Sequence, residues 1–202
     1  MIWSYGVTTV PARRDHLFPR TLTSLAWAGF DRPRIFVDDC PHKVAADYAA
    51  RYGLEVTARF PRIHTYMNWV LALAELYGRE PGADRYAVFQ DDFVTSPNLR
   101  KYLEACPYPA RGYLNLYTFP DQERRAPAPD YVGWYPSSQH GRGAVALVFD
   151  RDAVRTLLSN QHMVDRPMDA HRGKKSVDGG LVTAAKKEIG RASCRERVSS
   201  PV

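Results

Sequence analysis

Residues 86–92, YAVFQDD, join a short apolar run to two adjacent aspartates. The first four of these residues predict a short buried strand, which the Gln-Asp-Asp sequence closes with the acidic pair Asp91-Asp92. The stretch IFVDD, residues 35–39, has the same arrangement, with the pair Asp38-Asp39 at its end. In open α/β sheets, ligands bind at the carboxyl ends of the strands. We therefore expect both acidic pairs to lie at the same edge of one sheet.

Short apolar runs alternate with amphipathic stretches around these motifs. The clearest helix is predicted over residues 64–77, where apolar side chains recur at intervals of three and four residues. Pro41 is placed to open an earlier helix, and Gly53 to end it. The first half therefore predicts strands over 5–10, 34–37, 54–58 and 86–89, with helices over 22–29, 41–53, 64–77 and 97–106. This alternating order predicts a single α/β domain with a Rossmann-like, mixed and mostly parallel sheet flanked by helices.

The second half of the chain has a less regular pattern. Strands are predicted over residues 112–117 and 144–149, and a helix capped by Asp150 or Asp152 follows the second of them. Two long loops are expected, and the first, rich in proline and aromatic residues, has the composition of a lid or an acceptor-facing segment. These loops cover residues 118–142 and 160–177, and a further helical stretch covers 181–187.

Composition limits the class of protein. The chain has 202 residues, of which 45% are hydrophobic and 25% charged, as in a soluble globular domain. No apolar run approaches the roughly 20 residues that span a bilayer. The net charge is +6, but the basic residues are scattered, so we expect no nucleic-acid partner. The cysteines show no zinc-binding spacing, and two separated thiols in the body of the chain favour a reducing, cytoplasmic location.

The last residues of the chain have a sequence of a different character. Residues 188–198, EIGRASCRERV, resemble the translation of a sequencing adapter. We therefore predict a domain over residues 1–187 that is truncated at its C-terminus, followed by a non-native tail over 188–202. The alternative is a genuine polar tail with weak helical character.

Adjacent aspartates repel each other, so each acidic pair requires something that stabilises it. A cation, an arginine or lysine partner, or good solvation would serve, and a hard divalent cation prefers oxygen ligands of this kind. The alternative is turn chemistry, because aspartate often ends strands and starts helices. Two such pairs at one sheet edge favour a binding site over turn chemistry alone.

The chain resembles the GT-A type glycosyltransferases, and is close in organisation to the family 2 enzymes. The resemblance is carried by TTVPARR at residues 8–14, IFVDD, the helix that bears Asn68, and VFQDD at residues 88–92. It implies a GT-A fold, a nucleotide-sugar donor with UDP favoured, and a saccharide or other hydroxyl acceptor. It also implies a Mn²⁺ or Mg²⁺ ion held by Asp92, with Asp91 near the metal or the ribose. Gln90 departs from the strict DxD pattern of this family.

The resemblance also assigns residues to the nucleotide. Thr9, Pro11 and Arg13 match the loop after the first strand, and Asp38 or Asp39 matches the acid after the second. Asn68 is favoured over His64 for a nucleotide contact near the start of its helix, with packing or capping as the alternative for both. Arginine donates two hydrogen bonds to phosphate readily, so Arg14 and Arg62 are further candidates beside Arg13, unless they are solvated surface charges.

An inverting transfer needs a base that takes the proton of the acceptor hydroxyl. Asp178 matches the late acidic position of many inverting GT-A enzymes, although an N-cap role is the alternative. Asp165 and Asp169 are the next candidates. The acceptor pocket is assigned to Trp134, His140, Gly141 and Gly143, with a core or anchoring role open for Trp134.

Other functional classes compete with a glycosyltransferase. The sequence has no P-loop motif and no GxSxG elbow, which disfavours P-loop kinases and α/β-hydrolases. The strongest rival is a nucleotidyltransferase, although VPARRD at residues 10–15 lacks the glycine-rich loop of that class. A non-catalytic module that binds a nucleotide or a sugar is the third possibility.

Overall fold

The computed structural model of the protein describes residues 1–109, 112–117, 128, 133–137, 144–164, 177, 180, 181, 184 and 193–197. Within these residues, eight strands form one sheet in the order β3-β2-β1-β4-β7-β5-β8-β6. The strands are β1 (Trp3–Thr9), β2 (Arg34–Asp38), β3 (Val56–Arg59), β4 (Arg85–Gln90), β5 (Tyr113–Asn115), β6 (Gly133–Ser137), β7 (Ala146–Asp150) and β8 (Ser193–Arg197).

The sheet is mixed and mostly parallel, which confirms the predicted fold class. Strands β3, β2, β1 and β4 are parallel, and β7 pairs antiparallel with both β4 and β5. The chain leaves β1 toward β2 on one side and reaches β4 on the other. The order of the strands therefore reverses between β1 and β4, and such a reversal opens a crevice at the carboxyl ends of the strands.

Helices cover both faces of the sheet because the strands bury side chains on both sides. In β4, Tyr86 and Val88 belong to one hydrophobic cluster, whereas Ala87 and Phe89 belong to the other. The predicted helix over residues 64–77 is confirmed as α3, and its Trp69, Leu73 and Leu76 are buried in the first cluster. Within the described ranges, the continuous α-helices are α1 (Leu17–Trp27), α2 (His42–Tyr52), α3 (His64–Arg79), α4 (Leu99–Ala105), α5 (Arg151–Leu158) and the single turn α6 (Gln161–Val164).

The ends of several elements follow from local backbone chemistry. Gly53 adopts a left-handed conformation, with φ of 61°, and ends α2 as its sequence position predicts. Asp150 caps α5, because its side chain accepts a hydrogen bond from the backbone N–H of Ala153 at 2.7 Å. The predicted helix at 97–106 begins later, at Leu99, since Asn98 has a left-handed φ of 64°.

Two predictions for the second half of the chain need correction. The expected loop over 118–142 contains the strand β6, whose Pro136 signalled a loop. β6 is one of the two edge strands of the sheet, where a residue without an N–H is tolerated. The expected loop over 160–177 contains the helical turn α6, and Val177 is also helical.

The predicted tail contributes to the sheet. Its residues Ser193–Arg197 form β8, which pairs parallel with β5 and antiparallel with β6. The foreign origin of residues 188–202 stays a prediction. Among the described residues, no helix is both long and apolar enough to cross a membrane.

Candidate functional site

The crevice at the strand reversal contains a polar cavity of about 200 Å³. The ends of β1, β2 and β4 form its floor, and the first turns of α3 form one wall. Both acidic pairs lie at this edge, as the sequence predicts. Only one residue of each pair, Asp38 and Asp91, lines the cavity, whereas Asp92, the predicted metal ligand, lies outside the lining. The lining residues are Thr8, Thr9, Val10, Arg13, Asp38, Arg62, Thr65, Asn68, Gln90 and Asp91.

Asp91 is the buried acid at the centre of the site. The Thr9 hydroxyl donates to its Oδ2 at 2.6 Å, and Nη1 of Arg13 donates to its Oδ1 at 2.5 Å. The Thr21 hydroxyl donates to the backbone carbonyl of Asp91 at 2.7 Å, which fixes the loop to α1. Burial raises the pKa of Asp91 above its usual range, and the hydrogen bonds from Thr9 and Arg13 oppose that rise. A carboxyl group whose pKa is raised by burial in a cleft is typical of a functional site.

Asp92 is the exposed acid of the same pair. Its side chain is 40% exposed, and Nη1 of Arg13 lies 3.5 Å from its Oδ2. The single turn of 3-10 helix at Pro11–Arg13 brings Arg13 to both acids, although 78 positions of sequence separate it from Asp91. The acidic pair is therefore stabilised by an arginine partner, which is one of the three alternatives that its sequence left open.

The acidic pair fits a divalent cation in one respect. The carboxylate of Asp92 is open, and Mg²⁺ in particular is often held by one or two carboxylates together with substrate phosphates. Both oxygens of Asp91 already accept hydrogen bonds. Within the described part of the chain, no group of three acids, histidines or cysteines forms a closed metal cage. The arrangement suits a cation that arrives with a phosphate ligand and is held chiefly by Asp92.

Asp38 joins the end of β2 to the start of α3. Its Oδ1 accepts hydrogen bonds from the backbone N–H groups of Ile63 at 2.8 Å and Asp39 at 3.0 Å. Asp38 is buried, 2% exposed, and lines the cavity. Asp39 has a left-handed φ of 56°, is exposed, and does not line the cavity. Of the two acids that the sequence offered for the nucleotide, the structure brings Asp38 to the site.

Asn68 is the buried amide on the α3 wall. Its Nδ2 donates to the carbonyl of Phe36 at 3.2 Å, and its Oδ1 accepts from Nε of Arg59 at 2.9 Å. Both groups of the amide thus have fixed orientations, and Asn68 lines the cavity. His64 lies at the first position of α3 and is not among the lining residues, which agrees with the preference for Asn68.

Sequence reasoning missed Thr65 and the role of Arg59. Thr65 lies three residues before Asn68 in α3, so helical spacing places it on the same wall and would have identified it. Arg59 packs over the ring of Phe36, and burial lowers its pKa. No sequence signal identifies Arg59, because its contact with Asn68 depends on how β3 meets α3.

The remaining arginines of the prediction divide into two groups. Arg13 and Arg62 line the cavity, whereas Arg14 pairs with Asp15 at 3.2 Å outside it. Pro11 opens the 3-10 turn that carries Arg13, and is not itself a lining residue. Two of the three predicted phosphate donors are therefore at the site.

Trp134, predicted for the acceptor pocket, lies on β6 and packs against the second hydrophobic cluster. Its ring stacks on Tyr102 with the centroids 6.1 Å apart, so its environment matches the anchoring alternative. The other predicted acceptor and base residues lie outside the described residues and stay predictions: His140, Gly141, Gly143, Asp165, Asp169 and Asp178.

Comparisons with known proteins identify the fold. No protein-family model and no curated protein sequence matches the chain. The apo-form glycosyltransferase GlyE of Streptococcus pneumoniae TIGR4 superposes with a TM-score of 0.53 at 11% identity, over 94% of this chain and 45% of its own. The chain thus spans less than half the length of GlyE.

Two further structures match over most of both chains. A putative nucleotide-diphospho-sugar transferase from Desulfovibrio desulfuricans G20 has a TM-score of 0.54 at 9% identity, with 96% of this chain and 80% of its own covered. A nucleotidyl transferase from Methanothermobacter has a TM-score of 0.52 at 14% identity, with 99% and 88% covered. The chain therefore shares its fold with a glycosyltransferase, a putative nucleotide-diphospho-sugar transferase and a nucleotidyl transferase.

Proposed function

We propose that this chain is a glycosyltransferase that transfers a sugar from a nucleotide-diphosphate sugar to an acceptor hydroxyl. The observation that carries the proposal is the cleft at the strand reversal, which combines the pair Asp91-Asp92, the buried Asp38, and the cationic Arg13 and Arg62. A nucleoside diphosphate needs both carboxylates and guanidinium groups, since its base and ribose donate hydrogen bonds to carboxylates and its phosphates accept them from guanidinium groups. UDP is the favoured nucleotide.

The cations and the helix start favour the diphosphate. Arg13 and Arg62 lie on the cavity, and the N-terminus of α3 opens beside them at Thr65. A helix N-terminus attracts anions because its first N–H groups are not used within the helix. Asp38 lies at the same helix start, where its carboxylate would accept a hydrogen bond from the base or the ribose.

The proposed reaction is a displacement at the anomeric carbon. The acceptor oxygen forms a bond to that carbon, the bond from the carbon to the phosphate oxygen breaks, and the nucleoside diphosphate leaves. Mn²⁺ or Mg²⁺, held by Asp92, would neutralise the charge of the leaving diphosphate. Arg13 and Arg62 would bind the same phosphates. An inverting course needs one base to take the acceptor proton, and Asp178 is the proposed base.

A nucleotidyltransferase is the second candidate, because a nucleotidyl transferase is among the neighbours of the same fold. The two activities differ in the bond that breaks. A glycosyltransferase cleaves the bond between sugar and phosphate, whereas a nucleotidyltransferase cleaves the diphosphate. A binding module would cleave neither.

Product analysis separates these functions. The protein is incubated with Mn²⁺ and a panel of UDP-, GDP- and dTDP-sugars, with and without added pyrophosphate. With water as the acceptor, hydrolysis of the donor should release the free sugar and the nucleoside diphosphate. This release should be lost in Asp92→Ala but not in Asp152→Ala, which removes an exposed acid of α5. Formation of a nucleoside triphosphate only when pyrophosphate is present would identify a nucleotidyltransferase instead.

A further inference from the structure

A single arginine nitrogen bridges the two acids of the candidate site. Nη1 of Arg13 lies 2.5 Å from Oδ1 of Asp91 and 3.5 Å from Oδ2 of Asp92. One positive centre between two adjacent carboxylates is the position that a bound cation takes in an acidic pair. The protein therefore carries its own cation where a divalent ion is proposed to act.

We propose that Arg13 is the resident counter-ion of the acidic pair, and that a divalent ion binds Asp92 only when the Arg13 guanidinium moves away. This inference rests on the proposed placement of the cation at Asp92. With Arg13 in this position, the free protein should bind a metal ion weakly, because the incoming ion competes with a positive charge that is already hydrogen-bonded to the same carboxylates.

The surroundings of Arg13 allow this movement. Its side chain is 42% exposed, and it lies at the last position of the 3-10 turn rather than within a long helix. Among the described residues, only Asp91 and Asp92 accept hydrogen bonds from the Arg13 guanidinium. The next residue, Arg14, pairs with Asp15 instead. Arg14 therefore provides a control, because it is an arginine of the same loop that does not contact Asp91 or Asp92.

A diphosphate would give the displaced guanidinium a new partner. Arg13 lines the same cavity as Arg62, and arginine binds phosphate oxygens with two parallel hydrogen bonds. A phosphate ligand that draws Arg13 off the acids thereby opens Asp92 to the metal. Metal and diphosphate then strengthen each other's binding, and this coupling is reciprocal by thermodynamic necessity.

The test measures binding of Mn²⁺ alone, from the electron paramagnetic resonance signal of free Mn²⁺, with no nucleotide present. Arg13→Gln, which keeps a polar side chain but removes the charge, is expected to bind Mn²⁺ about tenfold more tightly than wild type, within the usual range of coupling between two sites. Arg13→Met serves as a second neutral variant. Arg13→Lys, which keeps the charge, and Arg14→Gln, which removes a charge elsewhere in the loop, are expected to bind as wild type does.

The double variant Arg13→Gln/Asp92→Asn tests whether the added Mn²⁺ binds at Asp92. It should lose the increase in Mn²⁺ affinity expected for Arg13→Gln alone. Circular dichroism confirms that each variant is folded. An unchanged or weaker Mn²⁺ affinity in both neutral variants overturns the proposal, and so does an absence of Mn²⁺ binding in all of them. The proposed transferase function is judged separately, by release of the nucleoside diphosphate, so the two proposals can fail independently.

Discussion

Substitutions of Asp38 separate its part in the fold from its proposed part in nucleotide binding. In Asp38→Ala, the backbone N–H groups of Ile63 and Asp39 lose their shared acceptor, which lies 2.8 Å and 3.0 Å away. A hydrogen bond to a charged group contributes about 1.5–3 kcal/mol, and the two share one oxygen, so we expect a loss of about 2–4 kcal/mol. For a chain of this size, that loss lowers Tm by about 5–10 °C.

Asp38→Asn keeps the acceptor but removes the charge. Its amide oxygen can still accept from both N–H groups, so the free energy of unfolding should stay within about 1 kcal/mol of wild type. In the described structure no hydrogen bond reaches Oδ2 of Asp38, and this is the oxygen proposed to accept from the base or ribose. We expect Asp38→Asn to weaken UDP binding by about 10- to 100-fold, the equivalent of one charged hydrogen bond.

Urea unfolding and isothermal titration calorimetry measure the two effects, with pyrophosphate as the control ligand. Pyrophosphate lacks a base and a ribose, so its affinity should change little in Asp38→Asn. Equal losses for UDP and pyrophosphate would place the base and ribose elsewhere. A variant Asp38→Asn as unstable as Asp38→Ala would show that the charge, rather than the acceptor, holds α3 in place.

Two further predictions concern the scaffold of the site. A Cβ at Gly6 of β1 would lie 2.4 Å from the Phe36 ring and 2.7 Å from the Arg34 carbonyl, so Gly6→Ala should cost about 1–3 kcal/mol in urea unfolding. Gly78 lies in α3, and a Cβ added there would meet no atom within 4 Å, so Gly78→Ala should raise the free energy of unfolding by about 0.5–1 kcal/mol. The same change in stability for Gly6→Ala and Gly78→Ala would refute the packing argument. Glu75 is partly buried, with its side chain 21% exposed, and burial raises its pKa, but the hydrogen bonds from Thr57 and Arg79 prevail and leave that pKa below its ordinary value. A carboxylate whose pKa is lower in the folded state than in the unfolded state stabilises the fold at pH values above its unfolded-state pKa. This contribution is lost as the pH falls through its folded-state pKa. Glu75→Gln should therefore cost about 2 kcal/mol at pH 7 and less below about pH 4.5. Glu55→Gln, whose side chain is 76% exposed, should cost less than about 0.5 kcal/mol, and a pH-independent effect of Glu75→Gln would contradict the charge argument.

The parallel half of the fold was predictable because its signals are local. Pro41 and Gly53 bracket α2, and apolar spacing marks α3. The convergence of Asp38 and Asp91 also follows from sequence, since residues that end parallel strands meet at one sheet edge. A reader of the sequence can therefore place the site, although not its detailed contacts.

The contacts that depend on distant parts of the chain were not predictable. The bridge from Arg13 to both acids depends on the turn at Pro11–Arg13, which directs Arg13 inward while Arg14 faces Asp15. Likewise, Asp39 is turned away from the cavity by its left-handed backbone, which an aspartate adopts more easily than most residues. The strand β6 was missed because its proline is acceptable only at a sheet edge, and edge position is a property of the whole sheet.

A nucleoside diphosphate is proposed to bind at the carboxyl ends of β1, β2 and β4. Amide hydrogen exchange of the full chain, followed by mass spectrometry with and without UDP and Mn²⁺, tests this placement. Binding there predicts slower exchange in residues 8–13, 38–39, 62–68 and 90–92, which surround the cavity. It predicts unchanged exchange in α5, which begins at the opposite edge of the sheet, where Asp150 pairs with Arg85 at the start of β4. Protection that appears elsewhere while these four segments stay unchanged would contradict it.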